Sequence, residues 1–296
     1  MNRIIDTHAD DYALSENSDN NILTLCENGF LDSISIIPNL RIFESAVRKF
    51  KAVQEKSTKN ILVSVHLNFM EGHPCAEISS IPDLVDSNGL FSVSWGKPIL
   101  WNYIPFFRAK IKEQLKVEMI AQIQKCVTAG ICECKSIRLD SHQHPHMIPV
   151  VFEALKETVY ELESRGYAVT YIRNTFDPIS FYHGKSLFSV NVLKCFILNF
   201  FSRRITKYIQ SRGQKINYLC GVYYSGQMDF RIKNVLPVFQ KKAEKKNRTV
   251  ELLFHPGTML ENELTDEFTK TGFNDFHLSE NRKIEYSTLQ KMEISK

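Results

Sequence analysis

The chain has 296 residues, of which 24% are charged and 43% hydrophobic, and its formal net charge is +4. These values are typical of a globular protein with a substantial core, built as one large domain or two small ones. The basic residues are scattered and no nucleic-acid recognition motif is present, so a nucleic-acid partner is not expected. No uncharged apolar run reaches the roughly 18 residues of a membrane-spanning helix, so no membrane span is expected either.

The cysteines and the N-terminal residues favour a cytoplasmic location. The seven cysteines are an odd number and lie mostly in apolar periodic segments, as buried hydrophobic side chains do. Such a pattern is typical of a reducing compartment rather than of a disulfide framework. Residues 1–8 lack the apolar core of a signal peptide. We therefore expect a cytoplasmic protein.

Apolar runs and amphipathic segments alternate along most of the chain. Strands are predicted at residues 3–9, 30–38, 60–65, 136–139, 168–172, 217–224 and 249–254. Helices are predicted between the cap residues Ser15 and Gly29 and at about 43–56, 112–129, 149–166 and 230–246, with one more in the polar tail from Ser279 onward. This alternation favours an α/β fold with about seven parallel strands, which usually closes into a barrel. With no repeat or evident boundary, residues 1–296 are expected to form a single domain.

A long insertion, at about 69–111, interrupts this rhythm after the third strand. It is rich in glycine and proline and contains an aromatic cluster that includes Trp95, Trp101 and Phe106. Loops of this length in a compact domain are usually functional or disordered, and the aromatic side chains argue against disorder. Two interpretations stay open: a folded cover over a site, or a separate hydrophobic cluster under a long loop.

The most informative stretch is 139–149, in which histidines alternate behind Asp140. His142, His144 and His146 follow a short apolar run, and a strongly periodic helix begins at Pro149. Alternate residues on extended backbone point the same way, and imidazole is the commonest metal ligand among side chains. The turn from strand to helix places them at the carboxyl edge of the sheet, where barrel sites form. The simpler interpretation is a histidine-rich surface turn.

Other predicted strands also end in polar or ionisable residues. Asp10 and Asp11 follow the first strand, His66 the third, Asn174 the fifth and His255 the last. Each has an ordinary explanation, since the aspartates could cap a turn, His66 could be a hydrogen-bonded core histidine and His255 could lie in a turn. Because the carboxyl ends of parallel strands meet at one edge of the sheet, the occurrence of polar residues at several of these ends favours a shared site.

One carboxylate and two imidazoles are a typical ligand set for Zn²⁺ or a similar divalent ion with an open position for water. Such an ion acidifies water and polarises a carbonyl. A neighbouring carboxylate can then act as general base, and an imidazole on the far side can donate a proton to a leaving amine. The pattern therefore suits amide hydrolysis. No nucleophile elbow, phosphate-binding loop or dinucleotide fingerprint competes with it.

These motifs resemble those of one family, the YdjC-like carbohydrate deacetylases. The resemblance rests on Ala9-Asp10-Asp11-Tyr12, on Asn28-Gly29 with the following strand to Asn39, on His66-Leu67-Asn68 with Glu71-Gly72, on Leu139-Asp140-Ser141-His142 with His144, His146 and Pro149, and on His255-Pro256-Gly257. The motifs occur in the family's order over residues 3–257. The central histidine motif is the most specific of them.

The resemblance implies a distorted (β/α) barrel that removes N-acetyl groups from amino sugars or glycans with one divalent metal ion, Zn²⁺ or Mg²⁺. It places the metal on Asp11, His66 and His142, and gives Asp10 the role of base and His255 the role of acid. The residues expected to support the ligands or face the substrate are His8, Asp140, His144, His146 and Asn174. A homodimer is also what the resemblance suggests.

The sequence departs from the family pattern at several positions. His8 stands where asparagine is usual, Tyr12-Ala13 replaces Phe-Gly, and Gln143 and Pro145 replace the commoner histidine and valine. These changes leave the implied ligands in place, but His8 bears on which sugar is bound.

The sequence leaves open several alternatives to a deacetylase that acts on a soluble substrate. The chain could hydrolyse another bond with a metal, such as a phosphoester or cyclic amide, or could be a catalytically silent barrel that acts as a binding protein. The segment 187–210 is apolar with a basic end. It suits either a core helix with a solvated end or a peripheral contact with a membrane that carries a lipid-linked glycan.

Overall fold

A computed structural model, which describes residues 4–94, 96–182 and 189–292, contains a single sheet of seven parallel strands. In chain order these are β1 (Ile5–Tyr12), β2 (Ser33–Ile36), β3 (Leu62–Leu67), β4 (Ile137–Ser141), β5 (Val169–Ile172), β6 (Asn217–Cys220) and β7 (Thr249–Phe254). Their spatial order is β5-β4-β3-β2-β1-β7-β6, and the sheet curls into a half-barrel. The expected α/β barrel-like fold is thus confirmed.

The two edge strands, β5 and β6, approach each other through the segment that follows β5. The backbone N–H of Asn174 donates to Oδ1 of Asn217 at 2.9 Å, and Nδ2 of Asn217 donates to the Asn174 carbonyl at 3.1 Å. The Leu219 N–H also donates to the Phe176 carbonyl at 3.0 Å. The side-chain amide of Asn217 and one backbone hydrogen bond thus satisfy backbone groups between the two edge strands, which do not pair as neighbours in the described sheet.

Helices surround the sheet. They are α1 (Glu16–Glu27), α2 (Phe43–Lys56), α3 (Lys97–Trp101), α4 (Pro105–Thr128), α5 (Pro149–Ser164), α6 (Val190–Ser211), α7 (Ile232–Lys246), α8 (Thr271–Leu278) and α9 (Asn281–Lys291). Ser15 caps α1 as predicted, since its side chain accepts from the Ser18 N–H. Among the described residues, none of these helices combines the length and the apolar character that crossing a membrane requires.

The long connection after β3 is confirmed, but it ends earlier than predicted because α4 already begins at Pro105. Proline in the first turn of a helix is favourable, since its missing N–H has no intrahelical partner there. Inside the connection lie a 3₁₀ turn at Ile78–Ser80 and the short helix α3. Trp101 is buried in the main hydrophobic core, whereas Trp95 lies outside the described residues.

The tail from Ser279 onward carries one helix, α9, as predicted, and α8 lies just before it. α9 buries Arg282, Glu285 and Thr288 completely. Residues of these types are normally exposed. Polar side chains are nevertheless accommodated inside a protein when they are hydrogen-bonded. Arg282 donates to Glu285 at 3.0 Å, and the Thr288 hydroxyl donates to the Ile284 carbonyl at 2.8 Å.

The interior of the half-barrel is polar, whereas apolar side chains fill the space between strands and helices. Because side chains alternate across a strand, residues two apart share a face. On β1 this inner face carries Asp6, His8 and Asp10. The corresponding polar residues of the other strands are Ser33, Ser35, Ser64, His66, Arg138, Asp140, Tyr171 and Glu251. Barrel interiors are usually filled by branched apolar residues, so this one is organised around ionisable groups.

Candidate active site

The carboxyl end of β1 presents two consecutive aspartates to the same site. In a regular strand neighbouring side chains point to opposite faces, but the register with β2 shifts between Ala9 and Tyr12. Asp11 adopts a left-handed backbone with φ of 65°, and Ala13 does so with φ of 71°. Such a conformation is unfavourable for residues other than glycine and is found at functional sites. The distortion is what lets both Asp10 and Asp11 line the cavity.

Asp11, His66 and His142 form a buried cluster of potential metal ligands. One ligand atom from each lies within 4.8 Å of the others, and all three side chains are buried. Nδ1 of His142 is 2.8 Å from Oδ1 of Asp11, and Nε2 of His66 is 3.2 Å from the same oxygen. Nε2 of His142 is buried with no hydrogen-bond partner among the described residues. One carboxylate and two imidazoles fit Zn²⁺ or a similar divalent ion with an open position.

Asp140 orients His66 from behind. Its Oδ1 is 2.6 Å from Nδ1 of His66, and its Oδ2 accepts a 2.5 Å hydrogen bond from Ser35. This contact holds Nδ1 of His66 and leaves Nε2 directed toward Asp11, an arrangement typical of metal-binding histidines. Burial opposes a proton on His66, but Asp10 and Asp140 outweigh it and raise the pKa of His66 to about 10. The same negative charges favour any cation at this point.

Asp10 is held by a fully buried arginine, Arg173. The guanidinium donates to both carboxylate oxygens, at 2.8 Å each, in a bidentate pair. Burial alone would raise the pKa of Asp10, but Arg173, His66 and His8 hold it well below its usual range. Asp10 is therefore an anion with a fixed orientation at the cavity wall.

Arg173 links Asp10 to two further carboxylates. One guanidinium nitrogen is 3.1 Å from Oδ2 of Asp140, and Nε donates to Oε1 of Glu251 at 2.7 Å. Glu251 also accepts from the Tyr171 hydroxyl. One buried cation thus compensates three buried carboxylates, which are tolerated in a low dielectric only when they are paired.

His8 lies beneath Asp10 rather than in the cavity. Its Nδ1 is 2.5 Å from Ser33 Oγ, and its Nε2 is 2.7 Å from Ser35 Oγ and 3.0 Å from Oδ1 of Asp10. His8 does not line the cavity, so its position agrees with the first of its two predicted roles, supporting the ligands, rather than with facing the substrate. Its bearing on which sugar is bound stays a prediction.

His255 lies at the far side of the cavity, after β7. Its Nε2 is 4.0 Å from Oδ2 of Asp10, and its Nδ1 has no hydrogen-bond partner among the described residues. Its backbone is fixed by the buried pair Arg282 and Glu285: Glu285 accepts from the His255 N–H at 2.6 Å, and Arg282 donates to the His255 carbonyl at 3.0 Å. Burial lowers the pKa of His255. The C-terminal helix α9 thus positions this histidine.

The other two histidines and Asn174, which were also predicted to lie around the site, have different surroundings. His144 lines the cavity, and burial holds its pKa well below the usual range. His146 faces away: Nδ1 is 2.5 Å from Ser141 Oγ, and Nε2 is 3.0 Å from the Arg173 carbonyl, so it fixes the backbone of Arg173. The Asn174 side chain donates to Thr206 on α6 and does not line the cavity, so its predicted role stays a prediction.

The cavity in front of these groups has a volume of about 320 Å³. Its floor is formed by the aspartates and histidines above, and its walls are partly aromatic and basic. The wall residues include Lys194, Leu198, Lys270, Phe273, Phe276 and His277. No described residue of the connection after β3 lines the cavity, although Glu71 and the carbonyl of Met70 contact Lys270. The connection therefore supports one wall instead of covering the site.

The model of the YdjC-like protein family matches residues 5–296 of this chain. The chain belongs to the YdjC-like family. The family assignment made from the strand-end motifs is thus confirmed over nearly the whole chain.

Two curated relatives of this YdjC-like protein have names that state an activity. A carbohydrate deacetylase from Clostridium beijerinckii is 26% identical over 154 residues, which are 52% of this chain and 55% of the relative. A chitooligosaccharide deacetylase from Klebsiella pneumoniae is 28% identical over 152 residues, 51% of this chain and 54% of the relative. The chain therefore spans about half the length of the curated relatives that it matches.

One solved structure shares the whole fold of the YdjC-like chain. It is that of a proposed cellobiose-phosphate cleavage protein from Enterococcus faecalis V583, with a TM-score of 0.61 and 16% sequence identity. The match covers 98% of this chain and 95% of the other. At this identity the comparison shows a common architecture only.

The sequence prediction missed the wall residues of the cavity and also Arg173 and His277, which contact the two aspartates. Arg173 follows β5 on the same face as Tyr171, toward the barrel interior, and counting alternate positions would have selected it instead of Asn174. His277 lines the cavity with Nε2 3.6 Å from Oδ2 of Asp11. It follows no strand, and its spacing of four from Phe273 on a short helix gives only a weak signal.

Proposed function

We propose that this protein is a metal-dependent hydrolase that removes the acetyl group from an N-acetylated amino sugar or glycan. The observation that carries the proposal is the cluster of Asp11, His66 and His142 on the cavity floor, with Asp10 beside it and His255 opposite. The names of the two deacetylase relatives agree with this chemistry.

Asp11, His66 and His142 are the residues that would hold the metal. When bound, a divalent ion such as Zn²⁺ or Mg²⁺ supplies positive charge that acidifies water and polarises the acetyl carbonyl. The chain supplies the rest of the environment. Asp140 keeps the His66 ring in place, and the low pKa of Asp11, held down against burial by His142 and His66, keeps that ligand anionic.

Asp10 is the proposed general base, and its oxygens accept the proton of the attacking water. Arg173 fixes both oxygens and keeps the carboxylate ionised, so the base is ready without rearrangement. A base so strongly stabilised as an anion is weak. The proton must therefore pass on quickly, and Nε2 of His255, 4.0 Å away, is a suitable acceptor.

His255 is the proposed general acid that protonates the leaving amine. Burial keeps its pKa low, so the ring is neutral at rest and strongly acidic once it gains a second proton. Arg282 and Glu285 hold its backbone, the Glu285 carboxylate lies 3.9 Å from its Nδ1, and its Nε2 remains available for proton transfer. Phe273 and Phe276 offer apolar faces on which the C–H face of a sugar ring can pack.

The metal site can be tested by comparing two neighbouring histidines. We expect His142→Ala to weaken Zn²⁺ binding by more than about 100-fold, because it removes a direct ligand. His144→Ala, which alters a cavity histidine outside the ligand cluster, should bind Zn²⁺ as the wild type does. Titration calorimetry on chelator-treated protein measures both. Equal affinity in the wild type and His142→Ala would contradict the assignment.

The reaction can be tested by incubating metal-loaded protein with N-acetylated mono- and oligosaccharides, phosphoesters and cyclic amides. Acetate release from an N-acetylated sugar, with a matching free amine, is the expected result. Phosphate or a ring-opened acid without acetate would favour hydrolysis of another bond, and metal binding with no product from any class would favour a silent binding protein. A cytoplasmic location, a homodimer and the identity of the metal remain predictions.

A further inference from the structure

One face of α6 exposes large apolar side chains to solvent. Val190, Leu193, Phe196 and Phe200 are 72%, 61%, 59% and 75% exposed, respectively. Their spacing of three to four residues puts them in one row on the helix. Single exposed apolar residues are ordinary, but a continuous row usually marks a contact surface.

The same row continues into a basic half. Arg203, Arg204 and Lys207 are exposed and follow Phe200 at the same helical spacing. These seven residues, Val190, Leu193, Phe196, Phe200, Arg203, Arg204 and Lys207, are called the α6 face below. The face runs over roughly 26 Å at 1.5 Å per residue. All residues of α6 are described, and none of them is acidic.

We propose that the α6 face binds an anionic membrane surface, with its apolar half among the lipid chains and its basic half on the headgroups. An amphipathic helix with aromatic and aliphatic residues and several Lys or Arg is the usual form of such a contact. The absence of carboxylates from α6 makes its charge complementary to anionic lipids. This complementarity favours a membrane over a second copy of the chain, which would bring another cationic α6 face.

The apolar half of α6 also borders the candidate active site. Lys194 and Leu198, on the other side of the helix from the exposed row, line the cavity. Membrane binding through the α6 face therefore places the cavity behind α6, roughly 10 Å, or one helix diameter, from the headgroup layer. The inference about the substrate rests on the proposed deacetylase function. It assigns an N-acetylated sugar carried on a lipid as the substrate class.

The surface is tested with the full chain and vesicles of phosphatidylcholine, with and without phosphatidylglycerol. We expect co-sedimentation with the anionic vesicles only, and its loss at high salt. Phe196→Ser/Phe200→Ser and Arg203→Glu/Arg204→Glu should each weaken binding by roughly tenfold or more. Matched controls are Tyr160→Ser, an exposed aromatic on α5, and Lys241→Glu/Lys242→Glu on α7, which should bind as the wild type does.

Three results would overturn the inference: no binding of the wild type to anionic vesicles, equal weakening by the control variants, or a dimer that the α6-face variants convert to monomers. Acetate release from N-acetylated sugars, one soluble and one carried on a lipid in the vesicles, is measured in parallel on every variant. No acetate from either sugar with the wild type contradicts the deacetylase proposal, whatever the vesicles show. A wild type that releases acetate but does not bind the anionic vesicles contradicts only the membrane contact.

Discussion

Asp10→Asn is expected to lower the rate of acetate release by about 10²- to 10⁴-fold, the usual contribution of a general base. The amide nearly matches the carboxylate in size but cannot accept the proton of the attacking water. The fold should persist, because Arg173 keeps two other carboxylate partners, Asp140 and Glu251. Steady-state kinetics on metal-loaded protein, with circular dichroism for the fold, make the comparison.

The control for this variant is Asp275→Asn, an exposed aspartate on α8 that does not line the cavity. It should keep the wild-type rate. Asp10→Asn should weaken metal binding far less than His142→Ala does, since Asp10 lies outside the proposed ligand cluster of Asp11, His66 and His142 and supplies only a nearby negative charge. A variant that retains more than about a tenth of the wild-type rate would show that another group takes the proton.

Arg173→Met is expected to destabilise the protein by about 3–5 kcal/mol, the usual cost of removing one partner from a buried ion pair. Methionine fills much of the same volume but leaves Asp10, Asp140 and Glu251 without their shared cation. The free energy of unfolding from urea titrations measures the effect. Arg173→Lys should destabilise the protein less than Arg173→Met does, because lysine keeps the charge but loses the bidentate geometry.

Arg212→Met is the matched comparison for the arginine. Arg212 is half-buried and pairs with Glu163 near the surface, where ion pairs contribute at most about 1 kcal/mol, and it also donates to the Val169 carbonyl. If Arg173→Met unfolds with the same free energy as Arg212→Met, the buried network does not hold the barrel interior together. If Arg173→Met cannot be purified folded, Arg173→Lys still tests the argument through its measurable loss.

Much of the fold could be predicted because apolar runs and helical periodicity alternate regularly. Five of the seven strands end within about two residues of the prediction, whereas β1 runs three residues further and β6 stops at Cys220 rather than at residue 224. On β1 the strand runs on through Asp10 and Asp11 to Tyr12. The left-handed residue at Asp11 is a property of the folded barrel that no local pattern of the sequence indicates.

The cavity floor could be predicted from one rule, that parallel strands deliver polar residues to a common edge. This rule selected Asp10, Asp11, His66, His142 and His255, which the structure does bring together. It could not separate residues that face the cavity from those that support it. His8 and His146 were placed with the site but bond to Asp10 and to the Arg173 backbone, which only the packed barrel reveals.

The C-terminal wall could not be predicted from local composition. Arg282 and Glu285 are charged residues in a polar segment, and such residues are normally exposed. Their burial depends on pairing with each other and with the backbone of His255, which is 27 and 30 residues away along the chain. Contacts of that range are set by the tertiary fold.

The most direct test of the central claim is acetate release by chelator-stripped protein before and after adding back one equivalent of Zn²⁺ or Mg²⁺. We predict no acetate from the stripped protein, recovery with added metal in the wild type, and no recovery in His142→Ala. Acetate released at an undiminished rate by stripped protein would contradict a metal-dependent site at Asp11, His66 and His142.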